Sequence, residues 1–66
     1  MNETTLLSDI LKYCRLHPVR QGNEEAEKAL WADIQREFSG RYEGIGDFGD
    51  FLDDNYKVIR AIMTGN

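Results

Sequence analysis

The chain has too few cysteines for an internal disulfide, because Cys14 is the only one. One cysteine and one histidine also cannot complete a tetrahedral zinc site. No apolar run approaches the roughly 18 residues that a membrane-spanning helix needs, and the first residues lack the basic segment of a secretory signal. We therefore expect a cytoplasmic protein that does not enter a membrane and holds no metal or cofactor.

Basic residues are also few, and they are spread along the chain rather than clustered. The chain has eight Lys and Arg side chains and twelve Asp and Glu side chains, which gives a net charge of −4. A negative chain without a basic patch is repelled by the phosphate backbone of nucleic acids. We expect no direct binding to nucleic acid.

The apolar content, in contrast, is sufficient for folding. Hydrophobic residues make up 41% of the 66 positions, and there is only one proline. This length allows one domain, residues 1–66, which buries only about 60% of the surface of its unfolded chain. Such a domain needs either a well-packed core or a partner subunit to be stable.

The first two apolar stripes predict two helices. In TTLLSDILKYCRL, residues 6, 7, 10, 11 and 14 have helical spacing, and this helix must end near Leu16 because His17 precedes a proline. Asn23 is a good N-cap for the second helix, whose stripe includes Leu30, Trp31, Ile34 and Phe38. We expect Gly40 to end it in the left-handed conformation.

Residues 45–63 carry a third apolar stripe at intervals of three or four. It predicts either one amphipathic helix or two short helices broken near Asp53 to Asn55, with Gly65 as the final C-cap. The β-branched residues in YKVIRAIM leave a strand open as an alternative for residues 56–63. The predicted fold is all-α, a compact small bundle of three to four helices. The predicted core comprises Leu7, Ile10, Leu11, Cys14, Leu30, Trp31, Ile34, Phe38, Phe48, Leu52, Ile59 and Ile62.

Five carboxylates form an acidic face opposite the third stripe: Glu43, Asp47, Asp50, Asp53 and Asp54. The simplest interpretation is a solvated surface that keeps the protein in solution. A docking surface for a basic partner is the sharper hypothesis, because clustered carboxylates steer cationic surfaces. A metal site at Asp50, Asp53 and Asp54 is the least favoured interpretation, since neither register of the stretch matches a calcium loop.

Two single residues have a structural and a functional interpretation each. Cys14 lies on the apolar face of the first helix, where a buried, inert thiol is the favoured interpretation over a reactive nucleophile. Its only candidate base is His17, three residues further on. Trp31 is expected to be the main core anchor, and an interface role is the alternative.

Two segments resemble one protein family. The segment ILKYCRLHP at 10–18 resembles the first helix of the small bacterial YozE-like proteins, which are described as sterile-alpha-motif-like. In RYEGIGDF, the spacing of Tyr42, Ile45 and Phe48 is similar to that of the family's later helix. Cys14 interrupts the first segment, and the family's proline-containing connector has no counterpart between Phe38 and Tyr42. The resemblance implies a compact fold of four or five helices without known enzymatic activity, and it transfers no binding residues.

We therefore expect a non-catalytic protein-binding module or regulator in the cytosol, which acts by occupying a surface of a protein partner; a basic protein is one candidate for that partner. The first alternative is a small acidic inhibitor, encoded by a phage or mobile element, whose carboxylates imitate nucleic-acid phosphates. The second, less favoured alternative is a small thiol-dependent enzyme that uses Cys14.

Phe51, Val58 and Met63 lie at the margins of the third stripe, where a small core would leave them uncovered. An exposed apolar patch usually marks an interface, so these residues form a candidate apolar interface. Because a symmetric dimer is the commonest way to cover such a patch, self-association as a homodimer is slightly favoured.

Overall fold

The computed structural model describes residues 3–41 and 47–65, and this part of the chain is helical almost throughout. The α-helices are α1 (Glu3–Leu16), α2 (Glu24–Phe38), α3 (Phe48–Asp54) and α4 (Tyr56–Met63), and a 3-10 turn (Ser39–Arg41) follows α2. No strand occurs among the described residues, so the all-α prediction is confirmed and the strand alternative for residues 56–63 is wrong. Tyr42 and Ile45, which carry part of the YozE-like resemblance, lie outside the described residues.

The helix ends follow the local chemistry of the sequence at most positions. α1 ends at Leu16, and the Oδ1 atom of Asn23 accepts the backbone N–H of Ala26 at 3.1 Å as the predicted N-cap of α2. At the end of α4, Gly65 has a φ of 83°, the left-handed geometry predicted for it. Gly40 does not take this conformation. The last turn of α2 instead tightens into the 3-10 turn, which was not predicted.

The third stripe forms two short helices, which confirms the second of its two alternatives. Asn55 separates α3 from α4, with a φ of −109° and a ψ of 13° that do not continue the helix. Its side-chain amide donates to the backbone carbonyl of Phe51 at 2.8 Å. The same carbonyl also accepts the backbone N–H of Asn55 at 3.2 Å, so two donors of Asn55 close the end of α3.

The core lies where α1 meets the other helices, and α1 packs most extensively against α4. The backbone N–H of Val19, in the connector after α1, donates to the carbonyl of Met63 at the end of α4, at 3.0 Å. The buried apolar residues are Leu6, Ile10, Cys14, Leu30, Ile34, Phe38, Phe51, Leu52, Ile59 and Met63.

The predicted core is correct at seven of those ten positions, and the differences lie at the edges of the stripes. Leu6, Phe51 and Met63 are buried although they were not in the predicted core. Leu7, Leu11, Trp31, Phe48 and Ile62 are only partly buried and pack around the core. The buried stripe is therefore rotated slightly from the predicted one in α1, α3 and α4, whereas in α2 it is only narrower, because Trp31 is partly exposed.

No helix in the described part of the chain combines the length and the apolar character of a membrane-spanning segment. α2, the longest, has 15 residues and alternates charged with apolar positions. A membrane-spanning helix needs about 20 predominantly apolar residues.

Candidate functional site

The acidic face is exposed at every position that the structure describes. Asp47, Asp50, Asp53 and Asp54 are all solvent-exposed, and Glu43 lies outside the described residues. Asp47 also has a structural role, because its Oδ1 atom accepts the backbone N–H of Asp50 at 3.1 Å as the N-cap of α3. The aspartates therefore do not share one role.

The described aspartates of the acidic face do not form a cluster of metal ligands. Within residues 3–41 and 47–65, no group of three or more His, Cys, Asp or Glu side chains is arranged to bind one. Asp50, Asp53 and Asp54 therefore do not converge in the way that the least favoured hypothesis requires.

The candidate apolar interface is wrong at two of its three residues. Phe51 is 5% exposed and Met63 is fully buried, whereas Val58 is 43% exposed. The physical reason is the interruption at Asn55, since two short helices can each turn their own apolar side inward. Phe51 also stacks on Phe48, with ring centroids 6.2 Å apart, and Met63 ends α4 against the connector that follows α1.

An open groove runs between α2 on one side and α3 and α4 on the other. It has three adjoining sections, of about 600, 240 and 250 Å³. Gln35 and Leu52 line both the first section and the central one, while Trp31 and Tyr56 line both the central section and the third. The groove exists because α2 packs more closely on α1 than on α3 or α4. We call this surface the aromatic groove; it lies between residues 24–39, which are α2 and the first residue of the 3-10 turn, and residues 48–60 of α3 and α4.

Two stacked aromatic rings form the middle of the aromatic groove. The rings of Trp31 and Tyr56 lie 5.3 Å apart at an angle of 12°. Tyr56 is 46% exposed, and Trp31 is only half-buried. Trp31 is therefore not the main core anchor that its place on the α2 stripe predicts. Leu30 and Ile34 take that position, and the indole bridges from α2 to α4.

The charges around the groove differ between its ends and its centre. At one end Arg36 pairs with Asp33. At the other end the Nε atom of Arg60 donates to Oε1 of Glu27 at 3.0 Å, and Glu27 is the one buried charged side chain in the described part of the chain. In the central section Asp53 is the only charged residue among the described residues that line it.

Cys14 lies in the core and has no accessible surface. Burial raises the pKa of its thiol from the ordinary 9.0 to about 11, although the positive charge of Arg15 opposes this shift. The Nδ1 atom of His17 forms a hydrogen bond with the backbone carbonyl of Tyr13 at 3.0 Å. The predicted burial of Cys14 is confirmed, and this geometry gives no support to a thiolate nucleophile activated by His17.

Comparison of the chain with protein-family models, with curated proteins and with solved structures gives no match. No site residue can therefore be transferred to this chain from a relative. The aromatic groove and the acidic face are the two surfaces from which a function can be inferred. The acidic face was predicted, whereas only Trp31 hinted at the groove, through its alternative role at an interface.

Proposed function

We propose that the protein is a non-catalytic, cytosolic protein-binding module that occupies a surface of its partner through the aromatic groove. The observation that carries this proposal is the stacked, partly exposed pair of Trp31 and Tyr56 in the middle of an open groove. The resemblance to YozE-like proteins implies no known enzymatic activity, which agrees with a non-catalytic role.

Aromatic side chains in this position suit binding for a physical reason. Trp and Tyr are the residues that most often dominate the binding energy of protein interfaces, because they lose a large apolar area to the partner and little conformational freedom. The stack also limits the movement of both rings before a partner arrives. Charged residues at the two ends of the groove supply the polar rim that such interfaces have.

The test compares two variants of α4 that lose exposed apolar surface. Tyr56 and Val58 are 46% and 43% exposed, but only Tyr56 lines the aromatic groove. The full chain and its Tyr56→Ala and Val58→Ala variants are immobilised, and proteins that they retain from a lysate of the source cells are identified by mass spectrometry. We expect Val58→Ala to retain as much of the partner as the unaltered chain does. The amount of partner that Tyr56→Ala retains should be lower by about tenfold or more.

Circular dichroism and urea unfolding of both variants serve as the folding control. A partner that Tyr56→Ala retains as well as Val58→Ala does would refute the groove as the binding surface. Retention of no protein by the unaltered chain would also count against the proposal.

The acidic face supports a second candidate, an inhibitor that imitates nucleic acid. Residues 47–55 hold four exposed aspartates and no basic residue. If their carboxylates replace phosphates, the affinity for the captured partner should fall steeply as salt rises, as binding to a phosphate backbone does. A nearly salt-independent affinity would leave the aromatic groove as the sole candidate.

The homodimer prediction loses most of its basis in the structure. It depends on an exposed patch at Phe51, Val58 and Met63, and two of these residues are buried. We therefore propose that the binding surface acts on a different protein and that the chain is mainly monomeric, since the predicted self-association no longer has a defined patch.

A further inference from the structure

The central section of the aromatic groove has the dimensions and lining of a site for one side chain. Its volume is about 240 Å³. Two aromatic rings and Leu52 supply apolar surface, while the Asp53 carboxylate and the Gln35 amide supply hydrogen-bond acceptors. A flat, cationic group with apolar surface would satisfy all of these features together.

The charge of this section favours a cation over a neutral ligand. No ion pair joins Asp53 to any residue of the described chain, and Asp50 and Asp54 stand near it on the same helix. Of the bases that line the ends of the groove, Arg36 is paired with Asp33 and Arg60 with Glu27, while Lys28 lies in the third section together with Glu24 and Glu27. None of these bases lines the central section. Clustered carboxylates beside a low-dielectric wall of aromatic rings attract a positive group.

We propose that the central section receives an arginine side chain from the partner protein. The arginine guanidinium is planar, weakly hydrated and able to donate two parallel hydrogen bonds to one carboxylate, and it stacks on aromatic rings. The lysine ammonium is compact and strongly hydrated. It therefore stacks less well on the aromatic rings than a guanidinium does, and it cannot donate two parallel hydrogen bonds to one carboxylate. This inference rests on the proposed binding function, and it specifies that the partner protein presents an arginine at its surface.

The experiment uses three short peptides without aromatic residues, each capped at both ends: Ala-Arg-Ala, Ala-Lys-Ala and Ala-citrulline-Ala. Citrulline keeps the shape of arginine and removes its charge. Trp31 is the only tryptophan of the chain, so its single indole N–H resonance reports on this section of the groove during an NMR titration. We expect saturable shifts with the arginine peptide, with an affinity at least about tenfold higher than that of the citrulline peptide. The lysine peptide should bind less tightly than the arginine peptide.

Two neighbouring variants provide the matched control. Asp53→Asn and Asp54→Asn remove the same charge from the same helix, but only Asp53 lines the central section. We expect Asp53→Asn to weaken binding of the arginine peptide about tenfold and Asp54→Asn to weaken it less than about twofold. Chemical shifts away from the groove show whether each variant keeps its fold.

Several results would overturn the proposal. Equal effects of the two variants would mean general attraction to the acidic face, and equal affinity for all three peptides would mean that no cation is recognised. Lysine binding as tight as arginine would remove the role of the planar group. A natural partner that is lost by Tyr56→Ala yet unaffected by Asp53→Asn would overturn the arginine site while the proposed binding function stands.

Discussion

At the scale of single residues, Asp47 shows that a place on a charged surface does not define a role. Its carboxylate is exposed, yet it accepts the backbone N–H of Asp50 at the start of a helix of only seven residues. So short a helix has little stability of its own. The cap is therefore a substantial part of what holds α3 in place.

We expect Asp47→Ala to lower the free energy of unfolding by about 1 kcal/mol, because the N-cap acceptor is lost. Asp47→Asn should keep most of the stability, since the amide oxygen can accept the same bond. Asp54→Ala is the control at the other end of α3, where removal of a carboxylate from the negative end of the helix dipole should cost almost nothing. Urea unfolding followed by circular dichroism measures all three variants. Equal losses for Asp47→Ala and Asp47→Asn would show that the cap does not stabilise the fold.

At the scale of helices, the pair of Glu27 and Arg60 is the described ion pair that joins α2 to α4. The Glu27 side chain is 11% exposed and that of Arg60 46% exposed. Because Glu27 is largely removed from water, its carboxylate depends on the bond from Arg60. The pair therefore closes one end of the aromatic groove and holds its two sides together.

Arg60→Ala should lower the free energy of unfolding by about 1–2 kcal/mol, because it leaves a nearly buried carboxylate without its donor. Lys57→Ala, on the same helix, is the matched control and should cost less than about 0.5 kcal/mol, as exposed charges generally do. Thermal and urea unfolding of the two variants test this difference. Similar losses in both would mean that the ion pair adds nothing to the packing of α2 on α4.

The helices show which structural features can be predicted from residues that are close in the sequence. The C-terminal end of α1, the Asn23 cap and the Gly65 end depend on residues within a few positions, and they follow from the sequence. The burial of Phe51 and Met63 depends on how α3 and α4 are oriented on either side of Asn55. The spacing of apolar residues does not specify this orientation. Gly40 was predicted incorrectly because a 3-10 turn can end a helix as well as a left-handed glycine can.

The same distinction applies to the candidate site. Exposure of the aspartates follows from their position opposite the apolar stripe, so it could be predicted. The aromatic groove could not, because Trp31 and Tyr56 belong to different stripes and meet only once α2 and α4 have packed. Periodicity assigns both residues to apolar faces and contains no information about the gap between those faces.

At the scale of the whole molecule, the exposed large apolar residues do not form one patch along a helix. Within residues 3–41 and 47–65 they are Leu16 on α1 and Tyr56 and Val58 on α4. Residues two positions apart on a helix do not face the same side, so Tyr56 and Val58 cannot act as one surface. These three exposed residues therefore do not combine into one apolar patch on the described part of the chain.

We expect sedimentation equilibrium at tens of micromolar to show mainly the 7.6 kDa monomer. Val58→Lys is the control, because it adds a charge outside the groove and should leave the mass unchanged. A concentration-dependent mass near twice the monomer value, abolished by Val58→Lys, would revive the homodimer and place Val58 in its interface.

The bond from Val19 to the carbonyl of Met63, with the close packing of α1 on α4, also bears on how the molecule reaches its folded state. It brings the C-terminal ends of the first and last helices together, with most of the chain lying between them. Closing so long a loop costs chain entropy before any contact is gained, and proteins that depend on distant contacts fold more slowly than those built from neighbouring ones. The rate of folding should thus be governed by the encounter of α1 with α4. The aromatic groove would then form late in folding, because α4 forms part of one of its sides and α4 reaches its final position only when it meets α1.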